Sequence, residues 1–405
     1  MRSAGFLLKQ TRQVSVLLRR LWNGQTTLPL GDPHLPKHSR LYVVFFFAFL
    51  VPTITAAQQS STLSPAAIQK INQAASDFMA GSSVPGLSVA IVLDGHPTWS
   101  SGFGMADLEN FVPATPATLF RLASVSKPIT ATAILQLWER GKLDLDVPVQ
   151  KYCPAFPQKE WPITTRELLN HLGGIRHYNK DNVGDVPIDS ARHFNSMEES
   201  LTIFENDPLV AKPGTKFQYS TYGYTVLGCV LEGASGQKYV DFVTENVFRP
   251  AGMSVTRADD YFAIVPHRTR WYNKSPNGAV QNSGVLDSSY KIPGGGWLSS
   301  ADDLALYESA ILANSLLKPA TRDLMWTPGK TASGEILDYG LGWGISTLAG
   351  LKTFGHSGGQ QGTSTFILLA PERRAGIVVL ANLEGVDVAG LAHRVLRIAL
   401  DLPEK

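Results

Sequence analysis

The chain has 405 residues, 44% of them hydrophobic and 17% charged, which is enough for a large core of one to three domains and excludes a disordered chain. The formal net charge is +2, yet seven Lys and Arg residues stand in positions 1–40 against Asp32 alone. The body is therefore mildly acidic, and no nucleic-acid footprint is expected. There is no internal repeat and no low-complexity tract.

Positions 41–51 (LYVVFFFAFLV) form an unbroken apolar run closed by Pro52. A basic flank, a short apolar core and the small residues Thr55 and Ala57 make a signal-like leader over residues 1–57. It predicts export to the periplasm or beyond, with a mitochondrial address or an uncleaved membrane anchor over 41–57 as alternatives. Residues 58–405 then form the functional domain. Within it, 64–80 is a predicted helix with Ser64 as cap and Pro65 at its first position. The run GLSVAIVL (86–93), the turn pair Asp94-Gly95 and the run 97–104 predict a β-hairpin.

Next comes an extended segment that breaks into a helix at Ser124, with Lys127 one turn later. Residues three apart share a helix face. An amine with a lowered pKa can take a serine's proton, and a helix start offers N–H groups to an oxyanion. Ser-x-x-Lys also occurs at Ser235/Lys238, Ser288/Lys291 and Ser315/Lys318, so spacing alone decides nothing. Ser124 differs in opening a long amphipathic run, with Ile129, Ala133, Ile134, Leu137 and Trp138 on one face and Gly141 as its stop.

From roughly 140 to 300 the pattern is helical with long loops. Helices are predicted over 164–172, with Thr164 and Glu167 as a capping box, and over 197–204, 222–233 and 300–312, the last with Ser300 and Asp303 in the same register. The end returns to strands at 351–355, 364–369 and 376–382, then a helix over 388–400. Strands at both ends predict one antiparallel sheet built from both termini, flanked by helices, with an inserted all-α lobe and a site in the cleft: an α+β fold. Of the two cysteines, Cys229 is expected to be a buried free thiol, although a bridge to Cys153 remains open.

Two further stretches supply partners for Ser124. Lys216-Phe-Gln-Tyr219-Ser220-Thr221 places a phenol that can relay protons, held partly ionised by a nearby ammonium. In Gly355-His356-Ser357-Gly358-Gly359 the glycines let a substrate run close to the backbone, and one N–H can complete an oxyanion hole. His171, His177, His267 and His393 read as hydrogen-bonded structural residues. No histidine has metal-like spacing with another ligand, so no metal is expected.

The order Ser-x-x-Lys, Tyr-x-polar, His-Ser-Gly resembles the serine β-lactamases and penicillin-binding proteins, and in detail their class C-related group of D,D-peptidases and esterases. Residues 141–149, 163–175, 293–303 and 339–343 carry further similar motifs, and 219–236 is similar to the mitochondrial type in particular. The resemblance, over about 64–400, implies a β-lactamase/transpeptidase-like fold and a serine hydrolase working through an acyl-enzyme. It implies Ser124 as nucleophile, Lys127 as its base, Tyr219 as proton relay, and His356 in place of the third motif's lysine. Thr221, Ser357, Gly358 and Gly359 would contact the substrate, with an oxyanion hole at the Ser124 and Gly359 N–H groups. No metal or organic cofactor is implied. Threonine in place of the usual asparagine, and histidine in place of lysine, lean away from efficient β-lactam hydrolysis. They favour a peptide such as one ending in D-alanine, then an ester, then a β-lactam. A catalytically silent binding protein is the rival of another class.

Overall fold

The computed structural model describes residues 62–178 and 191–403. The leader expected over 1–57 lies outside the described residues. Among these, no helix is long and apolar enough to cross a membrane.

Three strands near the start, β1 (Gly86–Leu93), β2 (His96–Asp107) and β3 (Val112–Pro113), join four near the end, β4 (Gly344–Leu348), β5 (Leu351–Gln360), β6 (Thr363–Ala370) and β7 (Ala375–Ala381). They make one antiparallel sheet in the order β3-β2-β1-β7-β6-β5-β4. The halves meet where β1 pairs with β7, Val89 opposite Val379. The sheet built from both termini is thus present, and the α+β class with flanking helices holds.

The main helices are α1 (Pro65–Ser82), α2 (Ser126–Glu139), α3 (Thr165–Leu169), α4 (Thr221–Ser235), α5 (Ala301–Leu312) and α6 (Val388–Ala399). Alternation along the strands decides how they cover the sheet. Leu87, Val89 and Ile91 of β1 pack with Ile71 and Ala74 of α1 and with Leu391 and Val395 of α6. Ala90 and Val92 face the opposite side with Leu304 of α5. With both faces covered, β1 is buried along its whole length, which is why it reads as an unbroken apolar run.

The caps follow the sequence in part. Ser64 Oγ accepts from Ala67 N–H at 3.1 Å, and Thr164 with Glu167 forms the full capping box of α3. At α5 only one arm forms. Ser300 accepts from Asp303 N–H at 3.1 Å, but the Asp303 carboxylate turns outward to the N–H groups of Val255 and Thr256, at 2.9 and 2.8 Å. Helix α2 is not amphipathic: every residue from Ser126 to Leu137 is buried. Its two threonines bond internally, Thr130 donating to Pro293 O at 2.6 Å and Thr132 to Pro128 O at 3.0 Å. The middle of the chain also carries short strands, Phe120–Arg121, Trp297–Ser299 and Arg257–Ala258 in one small sheet and Tyr272–Lys274 with Val280–Asn282 in another.

Cys229 is not a free thiol; it forms a disulfide with Cys153, 76 residues away. A Cβ at Gly233 would strike the Tyr152 carbonyl, so glycine one turn beyond Cys229 lets α4 lie directly on the 149–153 turn and brings the two sulfurs together. That approach depends on tertiary packing, which spacing along the chain does not reveal.

Candidate active site

Strand Phe120–Arg121 runs through a single 3-10 turn, Ala123–Val125, into α2. Ala123 has φ +46°, a left-handed conformation that costs an alanine energy and is held by the packing around it. The turn lifts one side chain. Between Thr118 and Leu137 every residue is buried except Ser124, which is half-buried.

Lys127 is fully buried. Its Nζ lies 3.0 Å from Ser124 Oγ, 3.2 Å from Thr221 Oγ1 and 2.7 Å from Gly294 O. No carboxylate pairs with it among the described residues. Burial, and then the charge of Lys291, hold its pKa well below the usual 10.5. Thr221 is itself buried, so the structure places its hydroxyl with the amine.

Tyr219 precedes α4, with its ring centroid 4.8 Å from Lys127 Nζ and a hydrogen bond between its side chain and that of Ser124. Burial raises the phenol's pKa, with the Ser124 bond only partly opposing. The phenol therefore stands protonated, against the expectation of partial ionisation: in this dry pocket the ammonium loses its charge before the phenol gains one. His171 lies under it at 4.3 Å between centroids and His177 meets it edge-on at 5.5 Å. Both are hydrogen-bonded as expected, their Nδ1 atoms accepting from Ser220 N–H and Thr221 N–H at 3.2 Å each. They belong to the floor of the site, a placement their sequence context did not disclose.

His356 lies inside β5, a strand five residues longer than predicted. Its Nδ1 is 2.6 Å from Ser357 O, a carbonyl that can only accept, so Nδ1 carries the proton. Nε2 then accepts from the Tyr339 hydroxyl at 2.9 Å. Burial, then Lys127, lower its pKa to about 3, with the Ser357 bond opposing. The ring is neutral. It stands 6.2 Å from the Tyr219 ring centroid.

The glycines of β5 have different tasks. A Cβ at Gly358 would strike Leu122 O and come within 3.1 Å of Ser124 N. This glycine lets the strand approach the serine's own turn, rather than the substrate. Gly359 is exposed and its missing Cβ faces open space, as does the exposed Ser357. Beside Tyr219 and His356 runs a groove of about 390 Å³, walled by Phe217, Ile345, Phe366 and Leu368, and no Lys or Arg lines it. Segments 120–127, 219–221 and 356–359 thus converge, as the sequence required.

The chain matches the Beta-lactamase family over residues 71–400. It is 33% identical to the human serine beta-lactamase-like protein LACTB, mitochondrial, over 78% of this chain and 76% of that one. It is 29% identical to penicillin-binding protein 4* of Bacillus subtilis, over 72% and 66% of the two chains. Among solved structures, the octameric penicillin-binding protein homologue from Pyrococcus abyssi superposes with a TM-score of 0.71 at 29% identity, covering 83% of this chain and 78% of that one. With the fold, the convergent segments and a match across most of the described residues in agreement, the chain belongs to the beta-lactamase family of serine hydrolases.

Proposed function

We propose that the protein hydrolyses amides or esters by acyl transfer through Ser124. The observation that carries this is the fully buried Lys127 amine, 3.0 Å from Ser124 Oγ with its pKa held down. A neutral amine has two N–H donors and one lone pair. Gly294 O and Thr221 Oγ1 take the donors, which aims the lone pair at the serine proton. Ser124 Oγ attacks the carbonyl as Lys127 takes that proton, and the oxyanion sits between the N–H groups of Ser124 and Gly359. Tyr219, protonated, gives its proton to the leaving group and regains one from Lys127. Water then attacks the acyl-Ser124 ester with the proton transfers reversed.

Neutral His356 and a groove without Lys or Arg leave no cation for a carboxylate on the leaving group. This supports uncharged leaving groups over peptides ending in free D-alanine, and supports β-lactams least. Labelling by a fluorescent fluorophosphonate, with mass detection of the adduct on Ser124, tests the reading. Wild type labels and Ser124→Ala does not; equal labelling of both overturns it.

The Cys153–Cys229 disulfide supports export by the 1–57 leader, since such bonds persist in oxidising compartments. A mitochondrial address is the alternative, favoured by the names of the human and mouse relatives. Imaging of residues 1–57 fused to a fluorescent reporter separates the two.

A further inference from the structure

Lys291 belongs to one of the Ser-x-x-Lys matches that sequence context sets aside, yet it is the second lysine at the site. It is buried, 3% exposed, with its Nζ 5.3 Å from the ring centroids of both Tyr178 and Tyr290. Tyr178 in turn bonds the Thr221 side chain, which holds Lys127. Among the described residues the Lys291 ammonium makes no hydrogen bond or ion pair; only the backbone N–H bonds, to Ser288 O at 3.1 Å. Asp259, the carboxylate whose charge acts on Lys291, pairs through Oδ2 with Arg121 at 2.8 Å, and its Oδ1 bonds neither Lys291 nor any other described group. A buried ammonium without an anion is costly to keep.

A second unmatched group lies beside it. Gln360 Nε2 at the end of β5 is buried and has no partner. The two side chains converge on Gly295. The point where a Cβ would sit there is 3.7 Å from Lys291 Cδ, 3.5 Å from Gln360 Oε1 and 3.7 Å from the carbonyl carbon of Ala123, the residue before Ser124. Glycine leaves that point empty. None of Lys291, Gln360, Thr221 and Tyr178 lines the groove, which is walled in part by Tyr219 and His356. If Tyr219 serves the leaving group, the Lys291 flank receives the acyl part.

We infer that Lys291 and Gln360 form an anion subsite on the acyl side of Ser124, which takes a carboxylate carried by the substrate's acyl chain. The inference rests on the acyl-transfer reading above. Burial, then Arg121, with Asp259 opposing, bring the Lys291 amine down to about 7, so an arriving carboxylate would also hold it charged. Among the described residues, Lys127, Arg121, Asp259 and the phenols of Tyr178 and Tyr290 are the titratable groups around it. The protein thereby selects for charge through the acyl group and not through the leaving group.

The test compares p-nitrophenyl hydrogen adipate with p-nitrophenyl hexanoate, spontaneous hydrolysis subtracted, at pH 6.5. The expected kcat/KM ratio favours the charged ester by about tenfold or more, the scale of a charge-assisted hydrogen bond. Lys291→Met and Gln360→Leu each bring the ratio toward one, and Lys291→Arg restores part of it. A wild-type ratio near one, or a ratio unmoved in Lys291→Met, overturns the subsite while Ser124-dependent turnover of both esters leaves the acyl-transfer reading intact. If Lys291→Met does not fold, the wild-type ratio and Gln360→Leu decide. Turnover of neither ester, or turnover that survives Ser124→Ala, removes both readings.

Discussion

Lys127 is buried at the cost of its charge, and that cost is measurable. Its folded pKa lies below the usual 10.5, so between the two values the unfolded chain binds a proton that the folded chain does not. Stability from this group therefore rises with pH across that window and is lowest below the folded pKa. The difference in unfolding free energy between wild type and Lys127→Met should shift in favour of Met as pH falls from about 10 to 6, as measured by denaturant titration at each pH. Activity should run the other way. Acylation needs the neutral amine, so kcat/KM should fall on the acid side through a limb lying below the ordinary lysine range. His356, with a pKa near 3, should add no limb above pH 5. The His356 ring bonds Tyr339 and its own neighbour Ser357. His356→Ala should cost about 1–3 kcal/mol by removing the imidazole's bonds to the Tyr339 hydroxyl and the Ser357 carbonyl. A pH–rate profile in which an imidazole-like limb near 6.5 disappears with His356→Ala would contradict this.

Strand β5 and the turn before α2 are fitted backbone to backbone, and two adjacent glycines report on that fit separately. Gly358→Ala places a methyl against Leu122 O and 3.1 Å from Ser124 N; neither is a flexible side chain that can swing away. It should lower acylation at least tenfold and depress the melting temperature. Gly359→Ala meets nothing within 4 Å and should leave the melting temperature within a degree or two. Equal melting temperatures for both variants would show that the strand can move off the serine turn. The sequence displayed both glycines and the residues that bracket them, but not which one the protein itself needs. That depends on which side of the strand faces the turn, and a Gly-Gly pair has no side chains to reveal it. The same limit explains α2. Its apolar positions were visible, but Thr130, bonded to a carbonyl 163 residues along the chain, and Thr132, bonded one turn back, look polar in sequence and are core in the fold. Lys291 is the sharpest case: its burial is set by Tyr178 and Tyr290, and nothing about a lysine in a Ser-Tyr-Lys loop announces that.

At the scale of the molecule, the sheet joins the two ends of the described chain, while the middle is tied down by α4 and the disulfide. The two-ended sheet was legible because both its halves are runs of β-branched residues separated by turn signals. The disulfide was not, because its cysteines lie in unlike contexts 76 residues apart. It joins the 149–153 turn to α4, the helix whose start carries Thr221 and follows Tyr219, so it braces the floor of the site. Closing a loop of that length removes unfolded-state freedom worth about 4–5 kcal/mol on the chain-entropy account. Reduction, or Cys229→Ala, should therefore lower the unfolding midpoint by several degrees. The loss should be largest for α4, so hydrogen exchange in Thr221–Ser235 should accelerate more than in β1 and β7, whose pairing does not involve the bridge. If β1 and α4 accelerate equally, the sheet and the helical middle unfold as one cooperative unit and the bridge steadies the whole protein instead of the site's floor.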